Sequence, residues 1–222
     1  MKIDLKWELL DKNFSKSRME KYKNRCNGCV SKASYCYSHN ILLSMAVLPM
    51  LNTLEIALRN AISKEMTSTY GRTDWWYHEE ISNLFQFEIK KAKTKLSRRK
   101  EKQHANKIVG ELNFGFWVSM FNKDNETVLW NTLEKAFPKL PKSNRQRTFI
   151  SPKLNKIRVL RNRAFHHEPI LWMHNDLDEL YKIGIELIEY IDSDLYVQWL
   201  HWHDIFKKKY SKYKSGLSNF PS

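Results

Sequence analysis

Turn-forming residues are scarce in this chain. Six glycines and six prolines among 222 residues speak against a loop-rich fold and favour long helices. Cysteine is scarce too, and the count of three, being odd, argues against a closed disulfide set. An apolar leader core is missing from the first residues: Met1 to Leu10 mixes Lys2, Asp4, Lys6 and Glu8 with apolar residues, so no signal peptide is expected. The longest apolar run, Ile41 to Leu51, is interrupted by Ser44 and Pro49 and is too short to span a bilayer. These absences predict a soluble cytoplasmic protein with reduced thiols and no membrane partner. There is no low-complexity segment, and no repeat beyond a brief echo of Leu58-Arg59-Asn60 in Leu160-Arg161-Asn162.

Acids are outnumbered. The 24 Asp and Glu stand against 38 Lys and Arg, a net charge of +14 that points to a polyanionic partner. The excess is uneven. From Lys135 to Arg163 there are ten Lys or Arg and no acid, and Lys90 to Lys107 forms a second basic block. Glu168 to Asp194 reverses the balance, with eight acids and Lys182 as its one Lys or Arg. A charge run is most often a solvated helix face. Here the first run leads straight into the most polar segment of the chain, so it also fits a path for RNA phosphates whose contacts weaken as salt rises.

That segment is Leu160-Arg161-Asn162-Arg163-Ala164-Phe165-His166-His167-Glu168-Pro169-Ile170. Ser151-Pro152 is a good helix opening, and the apolar Leu154, Ile157 and Leu160 continue at helical spacing. Pro169 disfavours helical geometry at Glu168, so the helix should stop near His167. On an ideal helix Arg161 and His166 lie about 140° apart. Either the last turn unwinds, or a second copy of the same helix completes the site in a two-fold dimer, the commonest oligomer.

Arg161-Asn162-Arg163-Ala164-Phe165-His166 resembles the Arg, polar residue, then His pattern of the HEPN superfamily, and the longer string is similar to the signature of its bacterial Abi-like (abortive infection) branch. Two further segments carry the same resemblance in the same order: Leu54-Glu55-Ile56-Ala57-Leu58-Arg59-Asn60-Ala61-Ile62 and Phe114-Gly115-Phe116-Trp117-Val118-Ser119-Met120-Phe121. The resemblance they carry spans about residues 35 to 170. The resemblance implies an all-α, HEPN-like helical bundle with additional N-terminal helices, a homodimer, and a metal-independent ribonuclease without cofactors that serves as a toxin or in antiviral defence. It also allows an inhibitory small RNA or protein antitoxin. The family's arginine falls on Arg161 and its polar follower on Asn162. Its histidine is His166 at the four-residue spacing or His167 at five.

Those residue types suit RNA cleavage. Histidine can give or take a proton at neutral pH, and arginine can hold two phosphoryl oxygens in its planar fork. Arg163, Arg158, Lys156, Arg145 and Arg147 are candidate phosphate contacts. The plain alternative is structural: paired histidines can cap helix carbonyls, and arginines can bridge helices. A non-catalytic module that binds RNA or a nucleotide is the first rival, and a zinc-stabilised partner-binding protein the second.

The rest of the chain reads as helices. One or two short ones precede a turn at Asn27-Gly28, and a long one follows from about Lys32 to Thr67. Further helices are predicted over Ile81 to Ile108, Glu126 to Phe137 and Leu177 to Leu195, with Pro138 to Pro141 as a linker and a frayed basic tail from Lys207. Phe114 to Phe121 reads as core packing around a turn at Gly115, with a base-stacking platform as the rarer alternative. This gives an N-terminal helical extension over 1–31, an Abi-like helical domain over 32–205 and a basic tail over 206–222. Cys26-x-x-Cys29 and Cys36-x-x-His39 together offer four zinc ligand types. Ordinary thiols remain the default, because the middle gap is short for common zinc modules.

Overall fold

Val47, Leu51, Leu54, Leu58 and Ile62 recur every three or four residues. All are buried on one helix that runs from Val30 to Tyr70 (α3), so the apolar stripe faces the core as its period requires. The computed structural model describes residues 6–198 and 200–220. Among these residues there are eleven α-helices and no strand, and the protein is all-α. Before α3 stand α1 (Trp7–Asn13) and α2 (Lys16–Arg25). After it come α4 (Gln86–Arg98), α5 (Ala105–Glu111), α6 (Phe114–Ser119), α7 (Glu126–Leu133), α8 (Arg147–Phe165), α9 (Leu177–Ile191), α10 (Ser193–Gln198) and α11 (Leu200–Leu217).

α3 continues through Pro49, where the ring removes one backbone donor without ending the helix. It ends at Gly71, whose φ of +67° is the left-handed geometry glycine accepts freely. The uninterrupted apolar run understated this helix. One window of α3 has a mean hydropathy of 1.8, long and apolar enough by composition to cross a membrane, and 44% of that window is buried inside the protein. The three-to-four spacing of its buried positions is the pattern of a core helix.

The described chain falls into two compact units, each discontinuous in sequence. The first comprises residues 6–50, 160–182 and 200–220; the second comprises 51–159 and 183–198. In the first, Tyr22 packs edge-on against Tyr37 and Trp172, both at 5.2 Å. Tyr181 stacks flat on Phe206 at 3.9 Å. In the second, Trp75 meets Phe85 at 5.8 Å, Phe85 meets Phe116 at 5.4 Å, and Phe116 meets Trp117 at 4.9 Å. Phe114, Phe116, Trp117, Val118, Met120 and Phe121 are all buried, so this segment is core, as its lack of charge suggested. It is a short helix capped by Asn113, whose side chain accepts from the Phe116 N–H at 3.0 Å.

Several boundaries differ from the sequence reading for local reasons. The helix expected over Ile81 to Ile108 is two. Lys100 takes φ +57°, the Glu101 N–H donates to the Leu96 carbonyl at 2.9 Å, and α4 closes in a left-handed cap. The Glu101 carboxylate then pairs with Arg99 (2.8 Å) and Lys107 (2.7 Å) across the break. The helix expected over Leu177 to Leu195 is likewise divided, because Asp192 accepts the N–H groups of Asp194 (2.8 Å) and Leu195 (2.9 Å) and starts α10. The basic tail does not fray at Lys207. α11 continues to Leu217 with Phe206 and Tyr213 buried, tied by Lys207 to Asp178 (2.6 Å) and by Tyr210 to Asp176 (2.7 and 2.8 Å).

Candidate functional site

α8 begins at Arg147, four residues ahead of the expected Ser151-Pro152 opening, and Pro152 lies inside it. Ile150, Leu154, Ile157, Leu160 and Ala164 form its buried stripe. The last regular residue is Phe165. The ladder still holds at the next position, where the His166 N–H donates to the Asn162 carbonyl at 2.9 Å. His167 then adopts φ +57°. Its N–H reaches the Ala164 carbonyl at 3.3 Å, and the Glu168 N–H reaches the Arg163 carbonyl at 2.8 Å. This is a Schellman cap with histidine in the position glycine usually occupies. A side chain in that region costs about 1–2 kcal/mol, so the surroundings must hold it.

They do so at three consecutive carbonyls. Arg18 Nη1 donates to the His167 carbonyl at 2.7 Å, Asn40 Nδ2 to that of Glu168 at 3.2 Å, and Arg163 Nη1 to that of Pro169 at 3.1 Å. Asn40 Oδ1 also accepts the buried Ile170 N–H at 2.7 Å. Arg163 Nε lies 3.7 Å from the Glu168 carboxylate. Neither Arg18 nor Asn40 figured in the sequence reading, because the bonds to Glu168 and Ile170 span 128 and 130 residues. One signal was available: Asn40 sits on the buried stripe with Cys36, Leu43 and Val47, and a polar residue there needs partners.

Asn162, His166 and His167 are exposed, while Arg161 is half-buried. The Arg161 guanidinium lies over the Phe165 ring, 4.4 Å from its centroid, one helical turn on. Arg158 donates to Asn155 Oδ1 (3.3 and 3.1 Å), and Lys156 is half-buried. Arg145 and Arg147 have structural partners. Arg145 donates to the carbonyls of Leu140 (3.2 Å) and Pro138 (3.3 Å), and Arg147 bridges Glu126 (2.9 Å) and the Phe121 carbonyl (3.2 Å). Arg59 donates to the neighbouring Asn60 at 3.3 Å.

The four candidate zinc ligands do not converge. Cys26 Sγ and Cys36 Sγ are 3.9 Å apart, but His39 stacks on Tyr35 at 4.1 Å. Among the described residues no group of three or more His, Cys, Asp or Glu side chains is placed to share a metal ion. Cys36 and His39 follow the core face of α3, which directs them into packing. Burial pushes the Cys36 thiol up to about 12 and so keeps it protonated and unreactive.

What remains is an exposed turn that presents two adjacent imidazoles, with an amide and an arginine on the helix leading into it. Such a set can transfer protons and hold an anion. No protein-family model, curated protein or solved structure matches the chain.

Proposed function

We propose that this chain is a metal-independent endoribonuclease of the HEPN type, acting as a homodimer in bacterial (phage) defence or as a toxin. The observation that carries the reading is the union of exposed chemistry with a fastened backbone. His166 and His167 are exposed on a turn whose carbonyls at 167, 168 and 169 are each held by a side chain, and Asn162 is exposed on the last turn of α8 before it. A left-handed histidine within such a turn is the kind of strain that gathers at functional sites.

In the proposed reaction a histidine removes the 2′-hydroxyl proton of RNA, the 2′-oxygen bonds to phosphorus, and the bond from phosphorus to the 5′-oxygen breaks. An acid then protonates the departing 5′-oxygen. Arg161 stabilises charge on the phosphoryl oxygens, and Asn162 orients the phosphate or the imidazole. The products carry 2′,3′-cyclic phosphate and 5′-hydroxyl ends. Because helical register holds through His166, Arg161 and His166 of one chain stay about 140° apart around the axis. This supports a second copy of the same helix completing the site.

The test is cleavage of mixed RNA and matched DNA by purified protein in excess EDTA, beside folded Arg161→Ala, His166→Ala and His167→Ala variants. Cutting of RNA alone, with cyclic ends, lost in Arg161→Ala and in at least one histidine variant, is the expected result. Products with 3′-hydroxyl and 5′-phosphate ends would rule the mechanism out. Tight, salt-sensitive RNA binding without cutting would identify a binding module instead.

A further inference from the structure

Part of the basic block over Lys90 to Lys107 is satisfied within the fold: Arg99 pairs with Glu101 and Glu111, Lys107 pairs with Glu101, and Lys93 lies over the Tyr77 ring. Lys90, Lys91, Lys95, Arg98, Lys100 and Lys102 are exposed and make no ion pair among the described residues. The first four lie on α4. At 100° per residue, Phe87, Lys91, Lys95 and Arg98 fall within an arc of about 80°, with a rise of about 16 Å from first to last. Ile89, Ala92 and Leu96 occupy the opposite face and are buried. Phe87 heads the stripe with 73% of its surface exposed, the most exposed large apolar side chain among the described residues, and Leu84 beside it is 42% exposed.

We infer that this stripe is a binding surface for single-stranded RNA, in which Phe87 stacks on a base while Lys91, Lys95 and Arg98 contact successive phosphates. Like charges one turn apart repel, as Lys91 does Lys95, and a polyanion laid along the stripe relieves that repulsion. The ring decides among polyanions. A single strand offers free base faces to an exposed aromatic in line with cations, whereas a duplex hides its bases in its own stack and leaves Phe87 without a partner. A lipid surface fits less well, because a helix lying on a membrane inserts an apolar face. That face of α4 is already buried in the protein. The choice of RNA over DNA rests on the proposed function; the surface itself is distinct from the turn at His166 and His167.

The experiment is binding, not cleavage. A short, unstructured, 2′-O-methylated pyrimidine strand cannot undergo attack by its own 2′-oxygen, so its affinity is measurable whether or not the protein is a ribonuclease. Fluorescence anisotropy across a salt series is read for wild type, Phe87→Ala and Lys91→Ala/Lys95→Ala, with duplex RNA and anionic vesicles in parallel. Phe87→Ala is expected to weaken strand binding about fivefold or more while leaving the salt slope and duplex binding unchanged. The double lysine variant is expected to flatten the slope by about 1.4, or about 0.7 for each phosphate no longer neutralised. Unchanged strand affinity in Phe87→Ala, or losses confined to vesicle binding, would overturn the inference.

Discussion

The buried amide of Asn40 holds both sides of the turn that presents His167, giving a hydrogen bond to the Glu168 carbonyl at 3.2 Å and taking one from the Ile170 N–H at 2.7 Å. Asn40→Ala removes both partners at once and leaves the buried Ile170 donor unpaired. A loss of about 2–3 kcal/mol in denaturant stability is expected, and the proposed RNA cleavage should fall with it even in the fraction still folded. Activity unchanged in a folded Asn40→Ala variant would show that the turn does not depend on this amide.

His167 stands where a Schellman cap takes glycine most readily. His167→Gly is therefore expected to stabilise the protein by about 1 kcal/mol or a little more, read as a rise in the denaturant midpoint. The same variant separates the two histidines. Cleavage retained in His167→Gly but lost in His166→Ala assigns the proton transfer to His166, and the reverse outcome assigns it to His167.

Gly216 lies so close to Tyr35 that a Cβ built there overlaps the hydroxyl oxygen and stands 2.6 Å from Cζ. Tyr35 cannot swing aside freely. Its hydroxyl donates to the carbonyls of Lys212 (3.1 Å) and Tyr213 (3.0 Å), and its ring stacks on His39. Gly216→Ala should loosen α11 from α3, costing about 1–3 kcal/mol as overpacking does, with amide exchange accelerated in residues 207–217. Tyr35→Phe/Gly216→Ala relieves the hydroxyl overlap and should recover part of the loss; no recovery would place the cause elsewhere.

The helical class and the buried stripes of α3 and α8 were legible because period and scarcity of turn formers are local properties of the chain. The breaks at Lys100 and Asp192 were not, since they depend on a non-glycine left-handed cap and on a side-chain cap inside otherwise periodic stretches. Arg161, Asn162, His166 and His167 could be picked out as a polar string next to apolar positions. What holds the turn at His167 and Glu168 could not, because Arg18 and Asn40 reach it from far upstream. The cysteine and histidine spacing left a zinc set open beside the default of ordinary thiols, and packing that turns His39 onto Tyr35 does not gather the four side chains.

His39 supplies a pH test of that packing. It is buried between Tyr35 at 4.1 Å and Tyr213 at 5.7 Å, and neither ring nitrogen has a hydrogen-bond partner among the described residues. Burial, reinforced by the positive charge of Lys212, lowers its pKa below the ordinary histidine value. The unfolded chain therefore binds the proton more readily than the folded one. Stability from this group is complete above the unfolded pKa of about 6.5 and is lost as pH falls toward the folded value. His203, also lowered by burial and by Lys207, adds a second loss of the same sign. Between pH 7.5 and 5.5 the unfolding free energy should fall, with His39 contributing at most about 1.4 kcal/mol per pH unit. His39→Leu, which fills the same space without titrating, should flatten that decline while leaving the His203 component in place. An unaltered pH profile in His39→Leu would mean that the imidazole is hydrated in solution, and that α11 does not seal it as the stacking against Tyr35 and Tyr213 requires.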